Sequence, residues 1–190
     1  QHPGYPTLIL ATHAVVERFE LPSAHSWRTA ALVPPFVCGP LVVLFVWLFT
    51  RCAYDARAAG AAAIVVALLP VFRQNAADAL SDTPHIACFA AALWLASEGI
   101  QRKRWPWTLA AGMLSGLAFW IRPEGLAVAL VAGAFYAALA AVAPWTRRWR
   151  IAEPVALCCG VLLIAGLWPR PVALGAAALL ATFGTAMAIS

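Results

Sequence analysis

The chemically capable side chains of this sequence gather in a few short polar stretches between apolar runs. The longest is Arg73-Gln74-Asn75-Ala76-Ala77-Asp78-Ala79-Leu80-Ser81-Asp82-Thr83-Pro84-His85. If it is helical, Asp78 and Asp82 stand four residues apart on one face, where two carboxylates can bind a divalent cation or position a hydroxyl. The same letters also read as a helix start, with Thr83 or Asp82 capping, Pro84 in the first turn and Asp78 solvated. Arg122 precedes Pro123, Glu124 and Gly125 at a tight turn. Its planar fork suits a phosphate. Equally, it can snorkel into headgroups while Glu124 favours the positive end of the next helix. Arg28 and Arg73 flank apolar runs, and each suits an anionic headgroup or simple snorkelling. His2 alone reads as a solvated loop histidine, and its weight comes from its company. His13 and His25 lack metal-site spacing partners and read as structural. No phosphate-binding glycine loop, Gly-x-Ser-x-Gly elbow, His-Glu-x-x-His helix or Rossmann fingerprint occurs.

These residues need elements to hold them, and composition says which kind. Of 190 residues, 63% are apolar and 11% charged, and the mean hydropathy is +0.81. That excludes a water-soluble domain and makes lipid the solvent, so helices must satisfy their own backbone groups. The fold expected is all-α, a polytopic transmembrane bundle of about seven spans forming one membrane-embedded domain over residues 1–190. The predicted spans are Ala30–Thr50, Ala58–Phe72, Pro84–Ile100, Trp105–Ile121, Pro123–Pro144, Ala152–Trp168 and Pro171–Ile189. The second and third are short for a full crossing, which asks the bilayer to thin or polar side chains to reach up to it. Before them, Leu8, Ala11, Val15 and Phe19 share one helical face and His13, Glu17 and Glu20 the opposite one. This reads either as an interfacial amphipathic helix or as an ordinary helix packed on a neighbour. Cys38, Cys52, Cys88, Cys158 and Cys159 fall in or beside apolar runs without Cys-x-x-Cys spacing, and read as small buried side chains.

The net charge of +5 is loop charge and calls for no nucleic acid. Arg51, Arg57, Arg102, Lys103, Arg104, Arg147, Arg148 and Arg150 fall in one set of loops, against Asp55, Glu98 and Glu153. The other set balances Arg18, Arg28, Arg73, Arg122 and Arg170 against Glu17, Glu20, Asp78, Asp82 and Glu124. The positive set is expected in the cytoplasm. Every chemically rich turn then faces away from it.

Together these motifs resemble the membrane region of the GT-C glycosyltransferases, in particular glycosyltransferase family 39 and the related protein O-mannosyltransferase and aminoarabinose transferase-like proteins. His2-Pro3-Gly4-Tyr5-Pro6-Thr7-Leu8-Ile9 is similar to that family's His-Pro motif opening an apolar helix. Arg28 matches an arginine leading into the next span. Ala79-Leu80-Ser81-Asp82-Thr83-Pro84 matches a Ser-Asp-Pro-like helix start, and Leu117 to Gly125 matches a Leu-Ala-Phe-x-x-Arg-Pro-Glu-Gly hairpin. The likeness covers roughly residues 2 to 140. It implies a polyprenyl-phosphate-linked sugar as donor and a lipid, glycan or protein as acceptor. It also implies transfer on the extracytoplasmic side, and the short loops suit a bacterial inner membrane. On this reading Arg28, Arg73 and Arg122 hold the donor phosphate. His2, Asp78, Asp82, His85 and Glu124 orient sugar or a divalent cation. One departure is that the family's catalytic acidic motif, after its first span, is expected upstream of Gln1, with a further C-terminal region downstream; the catalytic residue is thus not named.

Two other classes compete. A transporter or lipid flippase core would place ionisable or glycine-broken positions inside spans, whereas here the charges sit at span ends. A non-catalytic scaffold would only pack helices, and Gly112 and Gly116, four apart, suit close packing under any reading.

Overall fold

The computed structural model describes residues 4–19, 23–142 and 147–165. Helices α1 (Gly4–Val16), α2 (Ser23–Ala53), α3 (Ala56–Leu68), α4 (Pro70–Ala77), α5 (Asp82–Arg102), α6 (Trp105–Ile121), α7 (Leu126–Val142) and α8 (Arg147–Ala165) follow in order. Short 3₁₀ turns occupy Glu17–Phe19 and Pro123–Gly125, and the described residues contain no strand. The expected all-α class holds.

Local chemistry sets the ends. Asp55 caps α3 by accepting the Ala58 N–H at 2.7 Å. Lys103 closes α5 in the left-handed region, at φ 51, with its N–H on the Gly99 carbonyl. Proline punctuates the rest. Pro106 lies in the first turn of α6, and Arg122 ends it in an extended conformation before Pro123.

The sequence spacing recovers α6 residue for residue. α2 runs past both ends of Ala30–Thr50 and carries Pro34, Pro35 and Pro40 inside it. The predicted span Ala58–Phe72 is interrupted: Leu69 is extended, at ψ 118, because the ring of Pro70 disfavours a helical residue before it. The α3–α4 pair is bent there by 61°. The span placed at Pro123–Pro144 opens with a 3₁₀ turn, and α7 itself starts at Leu126. α8 begins at Arg147, ahead of the expected Ala152. Pro171–Ile189 lies outside the described residues. By length and apolar composition, one described helix, His25–Ala53, can cross a membrane, and the bent pair adds a second if it counts as one span. Pro123–Tyr136 and Pro154–Ile164 are shorter apolar helices.

Two parallel pairings give the bundle its ends. α5 runs beside α2 in the same direction, with the Phe45 and Trp94 rings stacked at 5.9 Å and the Gln101 amide donating to the Cys52 carbonyl at 2.6 Å. α8 lies parallel to α6, backbone against backbone. A Cβ on Gly112 would run into the Leu157 carbonyl, and one on Gly160 would stand 2.9 Å from the Gly112 Cα. Such an approach requires small residues. Buried polar groups tie α5, α6 and α7: the Tyr136 hydroxyl donates to the Ala96 carbonyl at 3.2 Å and lies 3.0 Å from the Thr108 hydroxyl.

The cationic turns after α2 and α5 share one end of the bundle. There Arg51 sits over Trp47 at 5.0 Å, and Arg102 over Trp107 at 5.2 Å while pairing with Glu98.

α1 turns apolar residues outward and one histidine inward. His13 is buried at 8% exposure, stacked on Trp27 at 3.6 Å, 3.1 Å from the Ser26 hydroxyl and 3.3 Å from Glu17. Val15 and Phe19 are 57% and 75% exposed. The histidine turns inward because α2 offers it a polar partner and a ring. The outward apolar face suits a helix lying against lipid.

Candidate functional site

At the other end of the bundle, two turns and the start of α1 surround a cleft of about 460 Å³. Tyr5 and Pro6 line it from α1. Residues 79–82 line it from the turn between α4 and α5, and residues 121–124 from the turn between α6 and α7. The start of α1 is seated on the end of α6, since a Cβ on Gly4 would collide with the Trp120 carbonyl.

Arg122 is held by its own turn. Its N–H closes α6 on the Ala118 carbonyl at 2.8 Å, and its carbonyl accepts the Gly125 N–H at 3.0 Å. The Ser115 hydroxyl donates to the Gly125 carbonyl at 2.9 Å and fastens the turn to α6. The guanidinium, 39% exposed, donates through Nη1 to Asp82 Oδ1, while its Nε lies 3.6 Å from Glu124 Oε2. Two carboxylates therefore flank one arginine. The pair clips together turns that are 40 residues apart in sequence, and both partners keep water access, so its value lies more in geometry than in stability. Tyr5 donates its hydroxyl to the Ala31 carbonyl of α2 at 3.1 Å. Burial pushes its phenol pKa up and so keeps the donor proton in place.

The other expected site residues stand apart from this group. Arg28 is exposed at the start of α2, and Arg73 is exposed on α4. Asp78 ends α4 and is exposed, so Asp78 and Asp82 do not share a helical face. The physical reason is Pro84: a helix running through this loop would place it mid-helix, where it lacks the N–H and clashes with the preceding turn. The capping expectation for Asp82 and Thr83 is also revised. Ser81 is the N-cap of α5 and makes no side-chain cap bond, while Asp82 turns to Arg122. His85 is buried with Nδ1 3.2 Å from the Ala118 carbonyl, tying α5 to α6. His2 lies outside the described residues.

Tyr5 was not singled out by its residue type. Its signal lay elsewhere, in the paired prolines of α2. Among the described residues no group of three or more His, Cys, Asp or Glu side chains could hold a metal ion. Asp82 and Glu124 offer carboxylate oxygens at the cleft, and both face Arg122.

The family described as dolichyl-phosphate-mannose-protein mannosyltransferase matches residues 24–172, more than half of the chain. No curated protein and no solved structure matches it.

Proposed function

The chain belongs to the dolichyl-phosphate-mannose-protein mannosyltransferase family, membrane glycosyltransferases of the GT-C type, and from that premise we propose that it moves a sugar from a polyprenyl-phosphate donor to a lipid, glycan or protein acceptor at the extracytoplasmic face of a bacterial inner membrane. The observation that carries this reading is the cleft, where three of the four family-like motifs meet around Arg122. About seven spans belong to the same proposal. So does the sidedness, which follows from the basic turns collecting at the far end.

In the reaction proposed, an acceptor hydroxyl oxygen attacks the anomeric carbon as the bond to the phosphate oxygen breaks. The leaving polyprenyl phosphate takes the electron pair, and a carboxylate takes the hydroxyl proton. Arg122 would neutralise the phosphate charge as it develops. Asp82 and Glu124 would orient the guanidinium and the sugar. Arg28 and Arg73, exposed along the route to the cleft's end of the bundle, would meet the donor headgroup first. Asp78 would act at the same mouth and His85 from behind it, and His2 is proposed to orient the sugar.

A transporter would place unwound polar or ionisable groups at its helix breaks. The break here is Leu68-Leu69-Pro70.

The test is sugar transfer by the full-length protein in nanodiscs, offered polyprenyl-phosphate mannose. Wild-type transfer with a loss of about 10²-fold in Arg122→Ala supports the reading, that being the scale of one lost charge-stabilising donor. Absence of transfer by wild type from any polyprenyl-phosphate sugar overturns it. The same assay with EDTA decides the cation: with Arg122 between both carboxylates, transfer is expected to persist.

A further inference from the structure

Within an α-helix the carbonyl of residue n accepts from the amide of n+4, and in a tightened turn from that of n+3. Proline supplies neither. Pro34 and Pro35 are consecutive inside α2, so the Ala31 carbonyl faces a proline at both positions. No other carbonyl within α2 is so deprived: that of Ala30 keeps Val33, that of Leu32 keeps Phe36, and that of Phe36, opposite Pro40, keeps Gly39. In a lipid environment no bulk water takes over, and an unmet carbonyl must find a donor within the protein.

The donor it finds is the Tyr5 hydroxyl, at 3.1 Å. The neighbours of Tyr5 are fixed in the same place. Gly4 abuts the Trp120 carbonyl at the end of α6, and Pro6 lines the cleft beside Tyr5 itself. One wall of the cleft is thus bonded to the one backbone position of α2 that paired prolines leave open.

We propose that Tyr5 is a positioning residue of this cleft, its hydroxyl acting on the Ala31 carbonyl rather than on substrate, so that the Pro34-Pro35 pair sets where α1 closes the site. The consequence for donor binding rests on the sugar-transfer reading above; the bond and its cause do not.

The experiment compares Tyr5→Phe, Pro35→Ala and the double variant in the full-length protein in nanodiscs. Pro35→Ala restores an amide donor four residues after Ala31, which makes the phenol redundant. Two readouts are taken: hydrogen–deuterium exchange of residues 4–16, and KM and kcat for polyprenyl-phosphate mannose. In the native background Tyr5→Phe is expected to speed exchange roughly three- to tenfold and to raise KM by a similar factor with kcat within about twofold, the range of one net hydrogen bond. In the Pro35→Ala background the same change is expected to shift neither by more than about twofold. Should Pro35→Ala not fold, Pro34→Ala restores the n+3 amide and takes its place. Equal losses in both backgrounds would put the hydroxyl on substrate and overturn the proposal, as would no change in either. If wild type transfers no sugar, the donor reading falls while the exchange comparison still decides the role of Tyr5.

Discussion

Of the five N–H donors on the Arg122 guanidinium, one is engaged by Asp82 and the Nε edge faces Glu124, which among the described residues leaves the Nη2 end for an incoming oxyanion. Asp82 therefore controls direction more than charge. Asp82→Asn is expected to lower kcat/KM by about tenfold, less than Arg122→Ala, and Arg122→Lys to rescue poorly, since a point charge cannot keep the fork between two carboxylates. Steady-state kinetics of the three variants checks the order. His85 offers the opposite case. It ties α5 to the end of α6 through the Ala118 carbonyl, so His85→Leu is expected to cost about 1–3 kcal/mol in thermal or denaturant unfolding. Arg122 and Asp82 were each legible as polar residues at span ends. Their pairing was not, because partners 40 residues apart are joined by the packing of α5 on α6 and by no local pattern. The predicted sharing of a face by Asp78 and Asp82 failed for a local reason, the proline two residues after Asp82.

Among the elements, α6 was fully readable, with proline in its first turn and an Arg-Pro step at its end. The break at Leu69 was equally present in the sequence, as the residue before Pro70, but the surrounding apolar run outweighed it. The face of α1 could not be read from periodicity, since in lipid an apolar side chain gains little by turning inward, and Ser26 and Trp27 decide where His13 goes. Glycine divides into two kinds on the same grounds. At the α6–α8 crossing, Gly160→Val is expected to destabilise by at least about 1–3 kcal/mol, because the Leu109 carbonyl and the Met113 amide block the added carbon. Gly60, inside α3, has nothing within 4 Å of an added Cβ, so Gly60→Ala is expected to stabilise by about 0.5–1 kcal/mol. Thermal unfolding of the two variants in one detergent tests the contrast.

For the molecule as a whole, the Gln101–Cys52 bond gathers the basic turns at one end and the Asp82–Arg122 pair marks the other. Lys103 is the sole lysine of the chain and lies in the basic turn after α5. A membrane-impermeant amine reagent is expected to label it in inverted vesicles and to spare it in intact cells; labelling in intact cells would invert the proposed orientation. The kink between α3 and α4 also has a mechanical side. As 13 and 8 residues they would reach roughly 32 Å if straight, at about 1.5 Å per residue. Folded by 61°, the pair reaches only about 25 Å along α3. Taken as one span, the pair is expected to draw the adjacent lipid thinner, into a dimple. Membranes of longer acyl chains must deepen that dimple, at a fraction of a kcal/mol per Å. Reconstitution across a series of chain lengths is expected to show stability falling as the bilayer thickens, so that the protein's working temperature is set partly by the lipids around it.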